Sequence, residues 1–325
     1  MVYASNVNVS LQYNLNDYDD GDDDLYHVVV QKGNVGSSYV YALQLLHSQH
    51  NIYVFRGSRQ KNVSFDKSNP VLRLIGQDGY TAGGHTQTWE YANQSGDWFV
   101  GTKPMPNQDN WTKQIARVHI PDGQKIYYNT NLQRLSYLNR AGESYGIGYS
   151  GDDMARVEAA VSPDYQYFMI ASGDVYHNGY FSLYYLSDIN SALNVAGTNP
   201  VDIRGIHCVR AFEIPGIAGA NGSVGSLQGF NVSDGGNYIY ISSQFAGDSN
   251  RKIVKIPWGN ANPDSWETVD LNPQTILDAN GYYTELEGIQ LINDNDLYLT
   301  VAYHRDSDGL TAMNRIYRVN WTSNI

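Results

Sequence analysis

The chain has 325 residues, is 42% hydrophobic and only 17% charged, and carries a net charge of −12. That is enough apolar material for a large core, while the acidity argues against nucleic acid or an anionic membrane surface as partner, since both are held by Lys/Arg clusters. Cys208 is the sole cysteine, which excludes an intrachain disulfide and a thiolate metal cluster, and no run approaches the roughly 20 apolar residues of a membrane span.

At the N-terminus, "MVYASNVNVS" places Val2 and Ala4 where a small-residue cleavage site would want them, ahead of Ser5, but without an apolar stretch in front. A processing point is expected close by. Residues 7–15, "NVSLQYNLN", read as a strand, and the acidic run "DYDDGDDD" (17–24) follows it. From there on, β-branched and aromatic runs alternate with Gly, Asn and Asp, the pattern of an all-β chain.

Five units then succeed one another. The first opens at 30–45, "VQKGNVGSSYVYALQL", with further strands at 51–58 and 70–76. The second opens at 86–102, "TQTWEYANQSGDWFVGT", continuing at 113–120 and 133–139. The third opens at 157–172, "VEAAVSPDYQYFMIAS", with strands at 180–187 and 207–214. The fourth opens at 227–244, "LQGFNVSDGGNYIYISSQ", with strands at 251–258 and 265–271. The fifth opens at 285–304, "ELEGIQLINDNDLYLTVAYH", and has one further strand, 314–321, before the chain ends.

Each opening hairpin carries a Gln or Glu near its start: Gln31, Gln87, Glu158, Gln228 and Glu287, spaced 56, 71, 70 and 59 residues apart. A four-stranded unit repeated in this way predicts a five-bladed β-propeller spanning 1–325 as a single domain. The fifth unit lacks a fourth strand, and 7–15 is expected to supply it and close the ring. Closure would remove the sheet edges that invite aggregation.

In a propeller the first strand of each blade lines the channel, so the five Gln/Glu marks are expected to form a ring at one mouth. Recurrence in every unit favours a scaffold role, with buried polar groups bonding across blades. Glu158 and Glu287 differ from the others in carrying charge. Two carboxylates there could hold a cation, Ca2+ included, or act as the acid/base pair of a glycan hydrolase. Loops on the same face carry Lys103, Asp174, His177, Gln244, Tyr303 and His304, with His85 and Arg156 two residues ahead of their marks. Amides, hydroxyls, aromatics and few charges suit neutral polar ligands, sugars foremost. Nucleophile-elbow, zinc-protease and phosphate-loop motifs are missing from the sequence, and no catalytic residue is assigned. "DYDDGDDD" and "DSDG" (306–309) look like calcium loops but lack the closing Glu.

Several segments resemble the helveticin J family, large heat-labile bacteriocins and bacteriocin-like proteins of lactobacilli. They are "VVQKGNVGSSYVYALQL" (29–45), "AGGHTQTWE" (82–90), "KQIARV" (113–118), "RLSYLNRAG" (134–142), "EAAVSPDY" (158–165), "IYISSQ" (239–244), "IVKIP" (253–257) and "YLTVAYH" (298–304). The resemblance runs nearly end to end but leaves out the acidic run. It implies an extracellular protein, secreted or held at the cell surface, that inhibits related Gram-positive bacteria, and it transfers no catalytic residues. The expectation that follows is non-enzymatic recognition of cell-wall or surface glycans, with an antibacterial or adhesive outcome. The alternatives are a cell-wall hydrolase using Glu158 and Glu287, and a structural protein of the producer's surface layer.

Overall fold

A computed structural model describes residues 1–17, 28–66, 68–77, 81–103, 111–120, 125–128, 131–146 and 149–325. The acidic stretch 18–24 lies outside the described residues. Five small sheets stand in a ring, a five-bladed propeller, each built from consecutive antiparallel strands.

From the channel outward, blade 1 runs Val30–Val35, Tyr39–Leu46, Asn51–Ser58 and Leu72–Ile75. Blade 2 runs Trp89–Tyr91, Asp97–Thr102, Gln114–His119 and Gln133–Ser136. Blade 3 has Met154–Val161, Tyr167–Asp174, Gly179–Tyr185 and Cys208–Ile214. Blade 4 has Phe230–Val232, Tyr238–Ser243, Lys252–Pro257 and Glu267–Asp270. Blade 5 has Tyr282–Asn293, Asp296–Arg305 and Thr311–Thr322, and its fourth strand is the N-terminal Ser5–Asp17, which pairs antiparallel with Thr311–Thr322. The ring closes as the sequence implies.

Alternation along each strand sends successive side chains to opposite faces, so one strand feeds two cores. In blade 4, Tyr240 packs towards blade 5 while Ile239 and Ile241 pack towards blade 3. The five hydrophobic clusters are therefore inter-blade layers, one between each adjacent pair. Burying these faces supplies the main driving force, at about 25 cal/mol per Å² of apolar surface.

Two features go beyond the sequence reading. Four blades carry a short fifth strand on the outer edge, each running parallel to its neighbour: Val2–Tyr3 on blade 4, Asn62–Ser64 on blade 5, Lys125–Tyr128 on blade 1 and Val201–Asp202 on blade 2. These two- to four-residue pieces cap edges that would otherwise be open. The second feature is a helix, Leu186–Ala196, where "YLSDINSALNVA" follows the third strand of blade 3. It buries Leu186, Ile189, Asn190 and Leu193, one face at helical spacing, against the core between blades 2 and 3.

Candidate functional site

The inner strands bring the Gln/Glu marks into the channel by different local means. Gln31 is the extra residue of a bulge between Val30 and Lys32, and Glu287 with Gly288 occupies a bulge between Leu286 and Ile289. Such bulges re-aim a side chain without ending the strand. Gln87 and Gln228 stand just ahead of their short inner strands, and Glu158 sits within its own. All five are buried.

Three marks meet across non-adjacent blades. Gln87 Nε2 donates to Gln228 Oε1 at 2.8 Å and to Glu287 Oε2 at 2.6 Å. Burial and the neighbouring charge of Glu285 hold the Glu287 carboxyl well above its ordinary range, against the opposing effects of the Gln87 bond and Arg156. Gln31 Oε1 and Gln87 Oε1 are buried with no hydrogen-bond partner.

Glu158 clamps blade 3 to blade 2. Its Oε2 accepts from the Thr88 hydroxyl at 2.6 Å, the Gln87 backbone N–H at 3.0 Å and the Thr86 hydroxyl at 3.1 Å. Its Oε1 accepts from Arg156 Nη2 at 3.0 Å. Arg156 also donates to the Leu227 carbonyl and lies 4.0 Å from the ring centre of Trp111. His85 packs on the same indole, 4.2 Å between ring centres, and is pulled down to about 3 by burial and by the Arg156 charge. At neutral pH it is an uncharged spacer.

A second line of contacts runs outward through blade 5. Gln228 Nε2 donates to Glu285 Oε1 at 3.3 Å, and Glu285 Oε2 meets His304 Nε2 at 3.0 Å. Tyr283 stacks on the His304 ring. Gln244 is tied in as well, donating to Thr284 Oγ1 and accepting from Leu286 N. It borders a small cleft of about 260 Å³ with Asp248, Arg251 and Tyr283.

The remaining loop residues stand apart from this cluster. Tyr303 is wholly buried within its strand, bonded to the Tyr317 hydroxyl at 2.5 Å. Asp174 spends both oxygens on its own turn, accepting from Tyr176 N, Asn178 and the Tyr180 hydroxyl. His177 is exposed on that turn at φ 71°. Lys103 borders a separate cleft of about 760 Å³ with Lys113, Tyr137 and Asp152.

Deeper in the channel lies a pair the sequence reading missed. Lys32 Nζ meets Glu90 Oε1 at 2.8 Å, both side chains nearly sealed from solvent, and also donates to the Ile289 carbonyl. Burial pushes the Glu90 carboxyl up despite the Lys32 charge. Gly288 makes room for the lysine, because a Cβ there would stand 2.5 Å from Lys32 Cδ. Glu90 belongs to a second ring, three residues beyond each mark: Asn34, Glu90, Val161, Asn231 and Gln290. All five line a funnel of about 610 Å³ at the opposite mouth, walled by Tyr39, Tyr41, Tyr91, Trp98, Tyr165 and Tyr298. The signal was present in the repeats, as the same register read three residues further on.

Among the described residues no cluster of three or more His, Cys, Asp or Glu is placed to hold a metal. The Asp306–Gly309 turn is closed by Arg305, whose Nη2 lies 2.9 Å from Asp308 Oδ2. No helix among the described residues is long and apolar enough to cross a membrane.

Comparison with known proteins agrees with the repeats. Among solved structures, the catalytic domain of a Coprinopsis cinerea GH62 α-L-arabinofuranosidase superposes with TM-score 0.53 at 10% identity, covering 99% of this chain and 98% of that one. An exo-β-1,3-galactanase from Phanerochaete chrysosporium gives TM-score 0.51 at 12% identity, over 95% of this chain and 64% of the other. At such identities the likeness is one of fold. In sequence, bacteriocin helveticin-J of Lactobacillus helveticus is 40% identical, with 98% of each chain covered. The family model for bacteriocin helveticin-J matches residues 3–322, and the chain accordingly belongs to the helveticin J family.

Proposed function

We propose that this protein is a secreted bacteriocin that recognises carbohydrate of the bacterial cell envelope and does not hydrolyse it, killing or adhering as a consequence of attachment. The observation that carries the non-enzymatic part is the state of the two charged marks. Glu158 has both oxygens engaged, Oε2 in three hydrogen bonds from the blade 2 side and Oε1 in one from Arg156 of its own strand, and Glu287 is buried against Gln87. A glycosidase needs one carboxyl free to protonate a leaving group and another facing the sugar or a water. Glu158, with both oxygens occupied, fits neither role, which leaves Glu287 without the second free carboxylate that hydrolysis requires.

Recognition is supported by what solvent meets at the propeller's faces: tyrosines, amides and hydroxyls around the clefts. Of the mark-side residues, His177 is exposed and Lys103 half-buried, while Gln244 and His304 are buried, His304 behind Tyr283. The acidic net charge leaves electrostatic insertion into anionic membranes without a driving force.

The test is binding of labelled protein to isolated cell walls, with and without competing glycans, alongside an assay for released reducing sugar. Saturable binding suppressed by glycans, with no sugar released, is the expected result. Absence of binding to walls and to every glycan would end the recognition reading. Sugar release that disappears in Glu158→Gln or Glu287→Gln would replace it with hydrolysis.

A further inference from the structure

The mouth opposite the Gln/Glu marks has the makings of a built site. Its floor is the second ring, in which Asn34 is 6% exposed and lines the funnel. An amide lining the funnel can donate to and accept from a ligand hydroxyl. The funnel's one acid, Glu90, is neutralised by Lys32, so the floor offers hydrogen bonds without net charge.

The wall is aromatic and rigid. Trp89 and Trp98 stack with ring centres 4.8 Å apart, Tyr91 sets its edge on Trp98 at 5.4 Å, and Tyr165 stands perpendicular to Tyr91 at 5.8 Å. Tyr165 is the informative member. It sits in the hairpin of blade 3 with φ 57°, a left-handed conformation that is an outlier for a bulky side chain. Blade 4 has a related turn, in which Gly235 is left-handed as well. Ser162 and Ser233 each bond the backbone N–H of the tyrosine five residues on, Tyr167 and Tyr238, through the hydroxyl at 2.9 Å. Their carbonyls accept from Tyr165 N and Gly236 N respectively. In that register Tyr165 takes the place of Gly236, which has φ 66°. The fold thus has an unstrained solution for this turn and uses it next door, while blade 3 holds a 41% exposed tyrosine in a strained one at the funnel's lip. Strained residues cluster at ligand sites, and of the nine non-glycine residues with positive φ among those described, Tyr165 is the one that lines this funnel.

We propose that this funnel is the saccharide seat of the protein: a site for one or two neutral sugar residues, with Tyr165 and Tyr91 giving faces to the C–H side of the ring and Asn34 bonding a hydroxyl. The volume falls within the range of small-ligand pockets. Tyrosine and tryptophan faces beside amides match a ligand with an apolar face and a polar rim. The paired floor charge favours a neutral sugar over an anionic one. This assignment rests on the carbohydrate-recognition reading above and gives it a location.

The experiment is calorimetric titration of the whole protein with a panel of neutral disaccharides, phosphorylated counterparts, and polysaccharide released from lactobacillus walls. Wild type, Tyr165→Gly and Asn34→Leu are compared, with thermal midpoints recorded for each. Tyr165→Gly installs a residue suited to the left-handed conformation, and an unchanged thermal midpoint separates a lost signal from unfolding. We expect both variants to lose about tenfold or more in affinity for the sugars that bind wild type. If wild type binds and both variants bind within about twofold of it, the funnel is not the seat, and the carbohydrate reading stands without it. Tighter binding of phosphorylated sugars than of their neutral parents would overturn the neutral assignment. If wild type binds no sugar and no wall polysaccharide, the seat and the reading fall together.

Discussion

Lys32 of blade 1 and Glu90 of blade 2 form an ion pair at 2.8 Å inside the channel, with side chains 1% and 6% exposed. Two charges so far from water are held by each other, by the Ile289 carbonyl and by the Val161 backbone. Removing one partner leaves the other buried and uncompensated, which costs about 3–5 kcal/mol. Lys32→Met and Glu90→Gln alone should each lower the denaturation midpoint sharply. The double variant should recover much of the loss, since the uncompensated charge is gone. Urea unfolding of the four proteins in a double-mutant cycle measures the coupling, and additive losses would mean the pair does not act as a unit.

Ring closure by the N-terminal strand gives a second expectation. Without residues 1–17, Thr311–Thr322 loses its antiparallel neighbour and blade 5 presents a long open edge. The truncated chain should aggregate on refolding, and a peptide of residues 1–17 added in trans should restore monomeric protein. Size-exclusion chromatography reads the outcome. A truncated chain that is monomeric and unfolds cooperatively would contradict this account of closure.

Acid sensitivity should be traceable to His85. Its folded value of about 3 lies below the ordinary 6.5, because burial and Arg156 disfavour the charged ring. The unfolded chain therefore binds the proton first as pH falls, so the stabilising contribution is complete above about pH 6.5 and is lost progressively towards pH 3. His85→Gln removes the titration and should flatten stability over that window. Denaturant midpoints from about pH 7 to pH 4 test it, and parallel curves for wild type and variant would show that other groups govern the acid limb.

Glu287 should act with the opposite sign. Its carboxyl is raised by burial and by Glu285, so the protonated form is favoured in the folded state. That contribution is fully present below the ordinary carboxylate range and is lost as pH rises through the raised value. Glu287→Gln keeps an acceptor for Gln87 Nε2 while removing the charge. The variant should gain on wild type as pH rises from about 4 towards 8, read as a widening gap in urea midpoints. A constant gap would mean the carboxyl does not titrate in that range.

The five-fold recurrence of Gln31, Gln87, Glu158, Gln228 and Glu287 was legible because strand patterning is local. Side chains alternate with period two, turns declare themselves by Gly, Asn and Asp, and a repeated unit repeats its marks. The missing fourth strand of the last unit, set against an unassigned strand at 7–15, was enough to imply closure. The helix Leu186–Ala196 escaped because its buried face has only three apolar residues, Leu186, Ile189 and Leu193, and follows directly on an aromatic strand. The short parallel edge strands escaped because pieces of two to four residues carry no period of their own.

What the marks do was decided only in three dimensions. Gln87 bonds Gln228 and Glu287 across 141 and 200 residues of chain, and Lys32 finds Glu90 across 58. Such partners depend on how far each inner strand is bulged and which glycine lets a neighbour approach, and neither leaves a pattern within a single repeat. Sequence periodicity therefore determined the ring, its order and its closure. Packing at the axis determined that Glu158 became a clamp, and that the Asn34 amide and the strained tyrosine came together at the other mouth.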